Sequence, residues 1–255
     1  MKLSEIKNSM PSKIVIPKEF DQFFEWTQNK ENLINGNIIS GSFEWCNDNK
    51  RLIRWFGKKK YKKYKIAERI GVFGVGSMDN MYCFWIDDEG NQKIVHLDYD
   101  AYELLVLANN FKEFLQYLAI GYPDPDTYSF NKTAEELDQE DLVDYKAITK
   151  QSMIDNLKKS LESFDEVAHV FDKKTVSDMK KYSENEIIKL EKMDNSTFKE
   201  IYFKADKEQE ISCINYKLRT WVKDTFQVKI PSKGNEILNL EDKSFENWIN
   251  TMPYD

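Results

Sequence analysis

Three closely spaced glycines precede the most apolar run of the chain, an arrangement that could bring backbone amides close to a phosphate. The glycines are Gly71, Gly74 and Gly76, and the apolar run covers residues 81–86. A dinucleotide-binding loop needs another glycine three residues after Gly76, and then a helix. Asp79 stands at that position, where its carboxylate would repel phosphate, and the run that follows is typical of a strand. We therefore interpret the glycines as a bend that leads into a buried central strand.

A second candidate is the segment Lys58–Lys65, which contains six lysines and two tyrosines. Lysines interleaved with aromatic rings can follow a nucleic-acid backbone and stack on bases. The segment lies between two predicted strands of an acidic protein, and lysine commonly protects the exposed edge of a sheet. We therefore predict a solvated loop and strand edge here, with nucleic-acid binding as the alternative.

The histidines and carboxylates do not form a sequence motif typical of a metal site or an active site. Neither His96 nor His169 falls in a motif with the spacing of metal ligands, so we predict no metal site. His96 alternates out of an apolar strand, which favours a histidine on the sheet surface, or partly buried, over a catalytic base. The acidic run 87–89 is typical of a solvated turn. We expect a binding protein rather than an enzyme, with no cofactor.

The composition indicates a globular protein with an uneven charge. Of the 255 residues, 41% are hydrophobic and 14% are aromatic, which is far from the composition of a disordered chain. The formal net charge is -7, with 17 basic and 18 acidic residues in 1–130 against 20 and 26 in 131–255. An acidic protein repels nucleic acid on average and attracts basic partners.

The sequence contains no run that resembles a secretion signal or a membrane span, so we expect a soluble, cytoplasmic protein without membrane contact. The three cysteines, Cys46, Cys83 and Cys213, are widely spaced and odd in number. We expect them to be reduced and mostly buried.

Hydrophobic periodicity predicts a helix that begins near Ile16 and has Phe20, Phe23, Phe24 and Thr27 on one face. Short strands are predicted next, at 38–45, 51–56, 64–73, 81–86 and 93–99, with a hairpin loop at 87–91. A helix is predicted over 102–120. The sequence therefore predicts an α+β fold, in which an antiparallel meander of about five to six strands packs against helices.

We divide the chain into a polar lead at 1–13, an α+β domain at 14–125, and an acidic, mainly helical C-terminal region at 126–255. A capping box is predicted at 133–136, and a helix cap at 183–186. Helices are predicted around residues 153–164, 187–193 and 211–222 from their apolar spacing.

The order of these elements resembles the SUKH superfamily over about residues 14–122. A proline-led helix comes first, then a small-residue corner entering a central strand, then a strand that ends in an acidic turn, then a helix of Asn-x-x-x-Phe-Leu type. The matching segments are Ile16–Phe20, Ile70–Ser77, Met81–Trp85, Ile94–Asp100 and Leu107–Leu115. The chain departs from the family pattern at 98–101, where relatives often carry Ser-Glu-Gly and this sequence has Asp-Tyr-Asp-Ala.

The resemblance implies an α+β fold and, as in bacterial members, service as an immunity protein that binds and neutralises a cognate toxin. Such toxins often act on nucleic acid, and other members of the superfamily are regulatory scaffolds. A toxin that handles nucleic acid needs a basic surface, and an acidic inhibitor would be complementary to it. We therefore predict a partner-binding surface formed by carboxylates. Its members are Asp98, Asp100, Glu135, Glu136, Asp138, Glu140 and Asp141.

These carboxylates have an alternative interpretation as ordinary solvated residues of a helix. Three functions follow from the sequence: a toxin-neutralising immunity protein, a non-enzymatic scaffold of the same fold, and a nucleic-acid-binding protein that uses Lys58–Lys65. The first is the prediction that we carry forward.

Overall fold

The computed structural model describes residues 1–29, 32, 43–76, 80–98, 104–122, 129–166, 173–202, 216–238 and 241–252. Within them are five strands: β1 (Glu44–Trp45), β2 (Ile70–Val75), β3 (Met81–Ile86), β4 (Gln92–Leu97) and β5 (Leu104–Ala108). The helices before and beside the sheet are α1 (Leu3–Ser9), α2 (Lys18–Gln28), α3 (Lys50–Phe56), α4 (Lys58–Lys63) and α5 (Phe111–Ile120). Those that follow are α6 (Ala134–Ala147), α7 (Lys150–Glu166), α8 (Lys173–Lys192), α9 (Asn195–Tyr202), α10 (Tyr216–Phe226) and α11 (Ser244–Asn250).

The strands form one open antiparallel sheet in the order β1-β2-β3-β4-β5. β3 lies in the centre, as the apolar run predicts, and its first five residues are buried. Hydrogen bonds join the ends of the central strands: Gly76 N donates to Asn80 O at 2.8 Å, and Asp87 N donates to Asn91 O at 3.0 Å. The predicted α+β fold and the hairpin at 87–91 are therefore confirmed.

One face of the sheet packs against α2 and α5, and we call this cluster the first core. Phe20 of α2 lies 5.9 Å from Phe73 of β2 and 5.3 Å from Phe111 of α5, measured between ring centroids. The predicted buried face of α2 is confirmed, since Phe20, Phe23, Phe24 and Thr27 are all buried. Ile6 of α1, in the predicted polar lead, is also fully buried in this core.

The opposite face packs against α3 and α11, and we call this cluster the second core. Leu52 and Phe56 of α3 are buried there. From α11, Phe245 and Trp248 pack against the sheet, with ring centroids 5.0 Å and 5.6 Å from that of Trp85. Both faces of the sheet are covered, which explains why β3 does not alternate between polar and apolar residues.

Two predicted elements are wrong in type. The predicted strand at 51–56 is the helix α3, because Leu52 and Phe56 lie one helical turn apart and enter the second core together. The predicted helix over 102–120 is a strand followed by a helix, since β5 pairs with β4 before α5 begins. Asn110 separates them by capping α5: its side chain accepts a hydrogen bond from Glu113 N. Of the predicted strand at 38–45, residues 38–42 lie outside the described residues.

The capping box at 133–136 is confirmed. Glu136 N donates to Thr133 Oγ1 at 3.1 Å, and Thr133 N donates to the Glu136 carboxylate at 2.7 Å. The cap predicted at 183–186 is wrong, because Ser183 is buried in the middle of α8.

The chain forms two compact units. The first contains Met1–Asp138 and Cys213–Asp255, so α10 and α11 belong with the sheet. The second contains Gln139–Ser212, with a small core of Ile154, Ile187, Leu190 and Phe198 contributed by α7, α8 and α9.

Candidate interaction surface

Two of the predicted contact residues lie in the first turn of α6. Glu135 is exposed to solvent. Glu136 completes the capping box, and hydrogen bonds from the backbone and side chain of Thr133 lower the pKa of its carboxyl group. Both side chains lie in the first turn of α6, where the positive end of the helix dipole stabilises a negative charge. Glu136 therefore has a structural role, and Glu135 is available to a partner.

Asp138 is engaged within the protein. Its two carboxylate oxygens each accept a hydrogen bond from the Arg219 guanidinium at 2.8 Å. Only 14% of the Asp138 side chain and 19% of the Arg219 side chain are exposed. Arg219 also donates to the carbonyl of Ala119 at 2.9 Å, near the C-terminus of α5. This pair ties α6 and α10 to the end of α5, so its first role is to hold the fold together.

The other predicted contacts are distributed along the chain. Glu140 is exposed and belongs to the second unit. The helix α6 includes the backbone of Asp141, whose side chain lies outside the described part of the structure, as does all of Asp100. Asp98 follows β4, and its carbonyl oxygen accepts a hydrogen bond from Trp55 Nε1 at 2.7 Å.

The structure does not bring Asp98 and Glu135 into one cluster. Asp98 is bonded to Trp55, which packs against the second core. Glu135 follows Ala134, which is buried in the first core on the other face of the sheet. Asp98 and Glu135 therefore lie beside different cores of the first unit, and Glu135 is the more exposed of the two.

His96 lies inside the first unit rather than on the sheet surface. It is 1% exposed, and its ring centroid lies 5.6 Å from that of Tyr82 on the neighbouring strand. Neither ring nitrogen has a hydrogen-bond partner among the described residues. Burial lowers the pKa of His96 to about 3, so the ring is neutral at physiological pH.

Neighbouring side chains occupy the space beside the glycines of β2. A Cβ atom on Gly71 would lie 2.8 Å from Pro11 Cδ, and one on Gly74 would lie 2.8 Å from Cζ of the buried Phe43 ring. The space that a phosphate would need beside Gly74 is therefore occupied by an aromatic ring. The prediction that these glycines serve the architecture of the sheet agrees with this packing.

Sequence reasoning missed a second ion pair between distant parts of the first unit. Lys93 Nζ of β4 lies 2.8 Å from Asp242 Oδ2, just before α11. Burial opposes ionisation of Asp242, but hydrogen bonds from Lys93 and Ser244 outweigh it and lower the pKa of the carboxyl group. The two residues are 149 positions apart, so no local motif could have revealed the contact.

The lysine segment differs from the prediction of a loop and strand edge. Residues 58–63 form the short helix α4, which has no buried residue and no side-chain cap. Its neighbours are α3 and a 3-10 turn at 66–68, rather than two strands. Tyr61 and Tyr64 pack against the second core, so the rings hold the segment to the protein.

The described residues contain no group of three or more histidine, cysteine or carboxylate side chains that could hold a metal ion. Among the described helices, none has both the length and the apolar character needed to cross a bilayer. The observed class is thus an α+β protein with an open antiparallel sheet covered by helices on both faces. No family model, no curated protein and no solved structure matches the chain.

Proposed function

We propose that this chain is an immunity protein of SUKH type, which neutralises a basic protein toxin by stoichiometric binding. The observation that carries the proposal is the distribution of charge. Outside residues 50–69 the chain has 27 basic and 43 acidic residues, a formal balance of -16. Such an excess of negative charge attracts a basic enzyme that acts on nucleic acid, and it speeds their encounter.

The fold supports a binding role. The helix α2, the central strand β3 and the helix α5 occur in the order that the SUKH resemblance implies. His96 is buried and neutral, so it has no contact with solvent through which to act on a substrate. The proposed activity therefore depends on shape and surface charge instead of on reactive groups.

Co-expression tests the proposal. Toxin candidates taken from the genes beside this one are induced in cells with and without the chain, and growth is measured. We expect growth to be restored only when the chain is present, and we expect a one-to-one complex in size-exclusion chromatography with light scattering. If the chain neither restores growth nor forms a complex with the neighbouring toxin, the proposal is wrong.

Removing a single charge tests whether Glu135 lies at the toxin interface. Glu135→Gln removes an exposed carboxylate that we place at the interface, and Glu89→Gln removes one from the turn between β3 and β4 as a matched control. Because charges at the rim of an interface act mainly on association, we expect Glu135→Gln to slow toxin association about two- to fivefold at low salt. Stopped-flow kinetics measures the rate, and equal rates for the two variants would place the interface elsewhere.

A further inference from the structure

The stretch 50–69, which we call the basic segment, has an unusual charge for this protein. It contains ten lysines and arginines and one acidic residue, Glu68, within a chain of net charge -7. α3, α4 and the 3-10 turn gather it on one side of the sheet. The basic segment is therefore a compact positive surface on an otherwise acidic molecule.

Several lysines of the basic segment have no counter-charge within the described part of the protein. Its described ion pairs involve Arg54 with Asp48, Lys65 with Glu68, and Arg69 with Asp88. Lys58, Lys62 and Lys63 are exposed and form no ion pair with any described residue. The ammonium groups of Lys58 and Lys62 are therefore available to an external anion, and that of Lys63 lies 5.0 Å from the ring centroid of Tyr64.

The lysines do not serve the stability of α4. Three lysines occupy its first turn, where the positive end of the helix dipole repels them, and Gly57 provides no side-chain cap. Lys58 and Lys62 lie four positions apart, as do Lys59 and Lys63, and like charges at this spacing destabilise a helix by about 0.2–0.5 kcal/mol per pair. Within α4 this charge pattern therefore opposes helix formation.

The ordinary explanation for exposed lysines beside a sheet also fails here. Lysines protect a strand edge from pairing with another chain, but α4 is a helix and exposes no unpaired strand backbone. The two tyrosines of the segment pack inward, so they fix the position of α4 and leave the ammonium groups facing solvent.

We propose that the basic segment binds the phosphate backbone of nucleic acid without regard to base sequence. Lysine is a point-charge ligand of phosphate, and clustered lysines match the dense charge of a duplex, about one phosphate per 1.7 Å of axis. No exposed aromatic side chain is described in the basic segment, and therefore no base stacking is expected. This site is independent of toxin binding.

Two other partner classes fit the segment less well. A helix that lies on a membrane inserts exposed apolar side chains beside its lysines, and the large exposed hydrophobic residues described in this protein all lie outside 50–69. Protein interfaces have an apolar centre and are poor in lysine. A surface made mainly of exposed lysines is best matched by a phosphodiester chain.

Fluorescence anisotropy tests the site on the full chain. The probes are a labelled DNA duplex and a labelled single-stranded RNA, each titrated between about 50 and 200 mM KCl. If about four phosphates are contacted, the duplex affinity should fall roughly 100-fold over this range. The variant with Lys58, Lys59, Lys62 and Lys63 changed to Gln should bind at least about tenfold more weakly at the lowest salt, with a much shallower salt dependence.

A matched control distinguishes binding by the basic segment from an effect of the total charge of the protein. Changing Lys174, Lys181, Lys192 and Lys199 to Gln removes the same charge from exposed positions of α8 and α9 and should leave binding within about twofold. The melting temperature of the α4 variant should stay equal or rise, since like-charge repulsion is removed. Equal losses in both variants, or no nucleic-acid binding at the lowest salt, would overturn the proposal. Binding to vesicles of anionic lipid with none to either nucleic acid would overturn it as well.

Discussion

A neutral histidine inside the first core makes the stability of the protein depend on pH. His96 has no hydrogen-bond partner among the described residues, and its pKa falls from 6.5 to about 3 on burial. In the unfolded chain the ring takes up a proton below its ordinary pKa, whereas in the folded chain it stays neutral. The stabilising contribution of the neutral ring is therefore complete above pH 6.5 and is lost as the pH falls towards 3.

We predict that acid weakens the fold through this one residue before most carboxylates protonate. Between pH 7 and about pH 5, the free energy of unfolding should fall by about 2 kcal/mol because of His96. His96→Leu should remove that slope and should be neutral or stabilising at pH 7, since it deletes two buried nitrogens without partners. Urea denaturation at each pH measures this, with His169 kept in both proteins. An unchanged slope would mean that the folded protein protonates His96.

At the scale of elements, ion pairs join segments that are far apart in sequence. Asp138 and Arg219 connect α6 to α10, and Lys93 and Asp242 connect β4 to the chain before α11. In both pairs the side chains are mostly buried. Removing Asp138 leaves Arg219 without its carboxylate partner, whereas Lys93 keeps a second carboxylate, that of Asp87, at 3.8 Å. The pair of Asp138 and Arg219 is bidentate, because Arg219 donates to both oxygens of the Asp138 carboxylate.

We expect Asp138→Ala to destabilise the protein by about 2 kcal/mol, because Arg219 loses its partner while it remains largely buried. Glu135→Ala removes one charge from the same helix at an exposed position and should cost less than about 0.5 kcal/mol. Guanidinium denaturation measures both free energies of unfolding. Equal effects would show that the Asp138 carboxylate contributes no more than a solvated one.

The elements that the sequence predicted correctly are those whose signals are local. The turn spacing of Phe20, Phe23 and Phe24 defines α2, and Thr133 with Glu136 defines the start of α6. The predictions for residues 51–56 and 104–108 are wrong because a short apolar run fits both the helical and the strand periodicity. Contacts with the rest of the fold then decide whether the run forms a helix or a strand. The partner of each buried charge could not be predicted, since Arg219 and Asp138 are 81 positions apart.

For the whole molecule, the last segment of the chain completes the first unit. Trp221 of α10 lies 6.0 Å from Phe23, and Phe245 of α11 lies 5.0 Å from Trp85, between ring centroids. The first contact packs α10 against α2 within the first core, and the second covers the sheet on its opposite face. Leu218 and Val222 of α10 belong to the first core, and Phe245 and Trp248 of α11 belong to the second, so both cores contain residues that lie beyond 125.

We therefore predict that a fragment ending at residue 125 does not fold cooperatively, because it exposes the surfaces that α10 and α11 bury. It should bind the dye ANS and show no sigmoidal thermal transition by circular dichroism. A fragment ending at residue 238 lacks only the segment with α11 and serves as the intermediate control. A sharp transition in the shorter fragment would show that 14–125 is a domain in its own right.

The division of the first unit between 1–138 and 213–255 also sets an order of events during synthesis. A ribosome delivers the five strands early, at about 5–20 residues per second, but α10 and α11 emerge only after the second unit has been made. The second unit can thus mature first, while Trp85 stays uncovered on the nascent chain. During that interval the newborn sheet is a substrate for chaperones, and slow translation beyond residue 138 would prolong its exposure.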